Sequence, residues 1–112
     1  MSAEQSDYIN FIVELFSEHG HITYRSMFGG WGLYYNSIIF AIIVDNEVYF
    51  KVDGSNMDQY ISYNSRPFEY MKSDKLIKVS SYMLLPEEIL YSPETLGNWI
   101  RQSYEISLKT KK

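Results

Sequence analysis

Three basic residues fall in or beside segments with strand-like patterning: Arg25, Lys51 and Arg66. A guanidinium and an ammonium on one sheet, with tyrosine hydroxyls nearby, would form a small site for a polar or anionic ligand. The plainer reading is that their stems lie along the sheet rim or pair with Asp53, Glu47 or Glu69. Phe28-Gly29-Gly30-Trp31-Gly32 offers a second candidate, a phosphate cradle. It lacks the Gly-Lys-Ser/Thr of a phosphate loop, and a strand pattern follows it instead of a helix start. A hairpin turn, with a glycine that lets another backbone or a ring pack close, accounts for it better. His19 and His21 flank Gly20, with Glu14 and Glu18 as the local acids. A metal would need a third ligand, whereas a histidine at a helix end complements the helix dipole, so we read the pair as structural. Tyr34, Tyr49, Tyr70 and Tyr82 fall on strands and several of them should share one sheet face.

Composition narrows these options. The chain has 112 residues, with 10 Lys and Arg against 14 Asp and Glu, a net charge of −4. Aromatic strand faces can stack on bases, but an acidic chain without a basic stripe or an RNP motif makes a poor autonomous nucleic-acid binder. Cysteine is absent, which excludes disulfides, thiolate zinc sites and a cysteine nucleophile. Neither Gly-x-Ser-x-Gly nor His-Glu-x-x-His occurs, and Glu87-Glu88 read as helix first-turn acids, so no enzyme, cofactor or metal site is expected. The polar, acidic N-terminus has no signal-peptide pattern. The longest apolar run, Ile38 to Val44, is far short of the ~20 residues that span a bilayer. We expect one soluble, cytoplasmic domain over residues 1–112, with no membrane contact.

The elements that must position these residues are legible from period and punctuation. A helix is predicted from about Ala3 to His19, opened by a Ser2/Gln5 capping box and closed by Gly20 in a left-handed cap. Tyr8, Ile12, Leu15, Phe16 and His19 follow helical spacing, and Ile9 and Val13 widen the stripe. Strands follow at Tyr24–Phe28, Trp31–Tyr35, Ile38–Val44 and Glu47–Val52. The links Gly29-Gly30, Asn36-Ser37 and Asp45-Asn46 suit hairpin turns, so these neighbours should be antiparallel. Ile38–Val44 shows no polar alternation and is placed centrally, covered on both faces. Ser55 is expected to cap a short helix whose apolar face is Met57, Tyr60 and Ile61. Two strands come next, Pro67–Lys72 and Leu76–Leu84, joined at Ser73-Asp74, with Pro67 marking an edge strand. A helical turn follows Pro86, and Ser92-Pro93 should cap a last helix to about Leu108. Lys109, Lys111 and Lys112 then suit the end of that helix. The class is α+β: an antiparallel sheet of about six strands, with helices at its ends and on one face.

Several blocks rise above class. Arg25-Ser26-Met27-Phe28-Gly29-Gly30-Trp31-Gly32-Leu33-Tyr34 resembles the signature of the TfoX/Sxy N-terminal domain family, bacterial regulators of natural competence. Phe40-Ala41-Ile42-Ile43 with Asp45, Tyr49-Phe50-Lys51-Val52-Asp53 and Pro67-Phe68-Glu69-Tyr70 resemble its next blocks in order and spacing. Ser81-Tyr82, Leu85-Pro86-Glu87-Glu88, and Trp99 with Arg101 resemble its closing ones. Met83 departs from the family, which often has a second tyrosine there, and Asn36-Ser37 replaces a turn that usually carries glycine. Longer members carry a second, helical domain after the point where this sequence stops, so a stand-alone N-terminal domain is expected.

The resemblance implies a fold similar to the secretion-chaperone-like class and regulation through protein contacts. It implies partners in the transcription machinery such as the cyclic-AMP receptor protein and brings no catalytic residues or cofactor; a second copy of the chain is a further candidate partner. Its motif positions are Arg25, Met27, Phe28, Gly29, Gly30, Gly32, Lys51, Pro67, Phe68, Tyr70 and Tyr82. The alternative functional reading is a small-ligand domain, or a weak enzyme, using Arg25 and Lys51 beside the Gly turn. An exposed apolar surface is expected near Trp31 and Phe68.

Overall fold

The computed structural model describes residues 3–27 and 29–110, residues 3–6 by their place in a helix alone. The Ser2/Gln5 capping box and Phe28 lie outside the described residues. Among those described there are six strands and four helices in the order α1 (Ala3–Phe16), β1 (Ile22–Met27), β2 (Gly30–Tyr35), β3 (Ile38–Val44), β4 (Glu47–Lys51), α2 (Met57–Ile61), β5 (Pro67–Lys72), β6 (Lys75–Leu84), α3 (Glu87–Leu90) and α4 (Pro93–Thr110). The expected α+β class holds. The strands form one open sheet in the order β1-β2-β3-β4-β6-β5, every neighbour antiparallel. β5 is an edge strand, in keeping with Pro67 at its start.

The turns obey their dipeptides. Asn36-Ser37, Asp45-Asn46 and Ser73-Asp74 all adopt positive φ at both positions, the geometry that matches the twist of two-residue hairpins. Register then sorts the side chains. Tyr24, Leu33, Ala41, Phe50 and Met83 stand opposite one another across five strands. From Leu33 to Met83 this row is buried, and it joins Ile9, Ile12 and Phe16 of α1 and Leu96, Trp99 and Ile100 of α4 in one core. The next row, Arg25, Gly32, Ile42, Tyr49 and Leu84, faces the other way and defines an outer face. Ile42 lies on that face beside Tyr49 and is only 9% exposed, but Val44 on the same face is half-buried, so the expected cover on both faces of β3 is complete only at its centre.

Two bulges shape the sheet. Phe40 is the extra residue between the Leu33–Ala41 and Tyr34–Ile39 pairs. It lets Phe40 and Ala41 both be fully buried, and the Phe40 ring meets those of Phe16 and Phe50 at 6.3 and 5.5 Å. In β6 the pairing jumps from Phe68–Val79 to Pro67–Met83. Beyond that jump β6 turns to β4, pairing Tyr82 with Lys51, while its first half pairs with β5 alone. The distal part of the β5–β6 hairpin is therefore a two-stranded arm projecting past β4.

Three local expectations need correction. The first helix gives way at Ser17 to a 3₁₀ turn ending at His19. Gly20 leaves it at φ 154°, ψ −169°, an extended glycine-only conformation instead of a left-handed cap. Asn56, not Ser55, precedes α2; its Oδ1 accepts from the Asp53 N–H, and Asp53 in turn accepts from the Ser55 N–H, so the loop is knitted from three residues. Pro93 opens α4 as expected, but the Ser92 hydroxyl donates back to the Glu88 carbonyl and spends itself on α3.

Candidate functional site

The outer face carries alternating cations and tyrosines. The Arg25 guanidinium lies 5.6 Å from the centre of the Tyr34 ring, and the Lys51 ammonium 5.3 Å from that of Tyr82. Both distances are within cation–π range. Burial pushes the Tyr82 phenol above its ordinary pKa, and nearby Tyr34 adds to the shift. The expected tyrosine face thus forms from Tyr34, Tyr49 and Tyr82, and Tyr70 extends it through Phe68, whose ring lies 5.1 Å from Tyr49 and 5.9 Å from Tyr70.

Arg66 takes the plainer of its two expected roles. Its guanidinium contacts Glu47 Oε2 at 2.8 Å and donates to the Tyr49 hydroxyl at 3.2 Å, while that hydroxyl donates to Glu47 Oε1 at 2.8 Å. This is the only ion pair among the described residues. Burial raises the Tyr49 pKa, and its bond to the Glu47 carboxylate adds to the rise.

The pairing of Arg25 with Lys51 beside the Gly turn needs correction. Lys51 closes β4 while the turn lies at the Glu47 end, roughly 13 Å away at about 3.3 Å per residue. Lys51 instead lines a cleft with Tyr34, Tyr82, Ile38 and Ile39 of the sheet and Ser107 and Thr110 of α4. Arg25 shares the face but is not part of the cleft wall. The motif glycines have separate reasons. Gly29 takes φ +76° in the turn. A Cβ on Gly30 would strike the Ile43 carbonyl oxygen, and one on Gly32 would sit 2.8 Å from the Met27 sulfur. The cluster is thus a turn followed by two close approaches. His19 packs against α4, where a Cβ on Gly97 would lie 2.7 Å from its Nδ1.

Near Trp31 and Phe68 it is their ring partners, Tyr24 and Tyr70, that are exposed. Trp31 is half-buried and packs against the core, with Tyr24 edge-on at 5.4 Å, and Phe68 is half-buried between two tyrosines. Exposed apolar residues are spread over the described surface, Tyr91 and Ile61 among them, and the arm carries three: Met71 is 63% exposed, Leu76 61% and Tyr70 43%. Met71 and Leu76 face each other across the strands, one pair from the Ser73-Asp74 turn.

The model of the TfoX N-terminal domain family matches residues 14–107. The chain belongs to that family. No curated protein matches the chain. TfoX membership points to a competence-related regulatory domain. No helix among the described residues is long and apolar enough to cross a membrane. Sequence reasoning missed Ser37, Ile38 and Ile39 of the cleft wall as well as its two α4 residues, Ser107 and Thr110. The available signal was small polar residues at helical spacing, Ser103 and Ser107, on the stripe that carries Leu96 and Ile100.

Proposed function

We propose that this TfoX N-terminal domain is a non-enzymatic, cytoplasmic regulator of competence genes that grips a protein partner with its β5–β6 arm. One observation carries this reading: the arm is a two-stranded ribbon whose tip exposes Met71 and Leu76 as a cross-strand pair. Two strands without further cover are marginal in water, and clustered exposed apolar side chains favour a protein contact. The net charge of −4 argues that any transcriptional effect runs through a protein and not through direct DNA contact. By family resemblance the cyclic-AMP receptor protein is the first partner to test, and a second copy of the chain the next. The deciding experiment deletes the gene and measures transcription of DNA-uptake genes. Loss of transcription, restored by the wild-type gene, is expected; unchanged transcription overturns the competence role.

A further inference from the structure

The cleft between the last turn of α4 and the outer sheet face has a volume of about 280 Å³. That is just below the ~300–1,000 Å³ range of ligand pockets, so its occupant would be a small molecule. Its chemistry is one-sided. Lys51 is the only charged residue in the wall, no acid lines it, and the ammonium has no ion-pair partner among the described residues. Ser107 is 5% exposed, lines the cleft, and its buried hydroxyl has no hydrogen-bond partner. A buried hydroxyl left unpaired is costly, and a ligand acceptor would satisfy it. The Tyr82 phenol stays protonated well past neutral pH and so remains a donor, while Ile38 and Ile39 supply an apolar wall.

We propose that this cleft binds a small carboxylate with an apolar body. The carboxylate would sit between the Lys51 ammonium, the Tyr82 hydroxyl and the Ser107 hydroxyl, with its hydrocarbon against Ile38 and Ile39. A monoanion suits the site better than a phosphate dianion. There is one ammonium and no guanidinium fork, and the cleft adjoins the C-terminal end of α4, the negative pole of a helix. The Thr110 hydroxyl bonds with the Ile106 and Ser107 carbonyls at 3.2 and 3.1 Å, which blunts that pole. The proposal stands apart from the partner-binding arm and does not depend on it.

The test is an NMR titration of the isotope-labelled full chain with acetate, butyrate and hexanoate, alongside hexan-1-ol and inorganic phosphate. Saturable shifts at Tyr34, Lys51, Tyr82 and Ser107 are expected, tightening about two- to fourfold per added methylene. Phosphate and hexan-1-ol should bind at least ~10-fold more weakly than hexanoate. Lys51→Ala should lose about 10-fold in hexanoate affinity, and Lys51→Arg should keep most of it. Ser107→Ala should weaken hexanoate severalfold. Absence of saturable shifts with every carboxylate overturns the site. So does hexan-1-ol binding as tightly as hexanoate, phosphate binding more tightly, or full affinity in a folded Lys51→Ala variant. The alcohol and phosphate arms use the wild-type chain, so the proposal stays falsifiable even if a variant fails to fold.

Discussion

The Ser103 hydroxyl of α4 donates a 2.7 Å hydrogen bond to the main-chain carbonyl of Lys51 at the end of β4. Ser103 is fully buried, so no solvent is at hand to take over that carbonyl. The bond pins the helix to the strand beside the cleft that Ser107, one turn on, lines with Lys51 and Tyr82. Ser103→Ala should cost about 1–3 kcal/mol, because it leaves a buried acceptor unpaired. Ser107→Ala removes a hydroxyl that has no partner and should be neutral to slightly stabilising. Urea unfolding of the two variants side by side checks the contrast; equal losses would contradict the hydrogen-bond account.

Gly20 and Gly29 separate two costs that sequence alone merges. At Gly20 an added Cβ would lie 2.5 Å from the Tyr35 ring, in a backbone conformation only glycine reaches readily. At Gly29 the φ of +76° is unfavourable but a Cβ would meet open space. Gly29→Ala should therefore cost about 1 kcal/mol for its backbone, and Gly20→Ala about 2–4 kcal/mol from backbone and collision together. Thermal unfolding of both variants tests the order.

The hairpins were legible because their signals are local. Asn-Ser, Asp-Asn and Ser-Asp tolerate the positive φ a two-residue loop demands, and β3 and β5 carry the predicted boundaries, Ile38–Val44 and Pro67–Lys72. The bulges were not legible. The register break at Phe40 and the switch of β6 from β5 to β4 depend on which strands meet, and period-two patterning reads the same on either side of a bulge. The site divides in the same way. Sequence placed Tyr34, Tyr49 and Tyr82 on strands, and register put them on one face. That Lys51 belongs with Tyr82 and α4, and not with Arg25 and the Gly turn, follows only from strand order and the Ser103 bond.

Alkaline pH should weaken the fold through its tyrosines. Burial is the leading cause that raises the pKa of Tyr8, Tyr49, Tyr60 and Tyr82 above the ordinary value near 10. Above that pH the unfolded chain releases these protons while the folded chain retains them, so stability falls as pH rises and is flat below it on their account. Urea midpoints followed from pH 8 to pH 11, with phenolate absorbance, should show this decline. Tyr82→Phe should make the decline shallower, since its proton no longer differs between the two states.

The Glu47–Tyr49–Arg66 cluster should contribute little. The Arg66 and Glu47 side chains are 52% and 40% exposed, so water screens their 2.8 Å contact. A double-mutant cycle of Arg66→Met and Glu47→Gln should give a coupling of about 0.2–1 kcal/mol that shrinks with added salt. A larger, salt-insensitive coupling would show that Tyr49 locks the pair into a desolvated unit.

The arm offers the sharpest separation of stability from function. Met71 and Leu76 are well exposed and stand outside the hydrophobic core, and their strands pair only with each other at that point. Met71→Lys with Leu76→Lys should thus leave the unfolding free energy within about 0.5 kcal/mol of wild type, since exposed positions outside caps and cores are tolerant. Placing two like charges opposite each other weakens the arm slightly, and Met71→Lys with Leu76→Glu relieves that repulsion while still removing the apolar pair. If the tip is where a partner docks, both double variants should fold and both should fail to restore transcription of DNA-uptake genes in the deletion strain. Restoration by both would show that the arm is not the contact. Restoration by the Lys/Glu pair alone would trace the failure to a distorted hairpin, leaving the apolar tip dispensable.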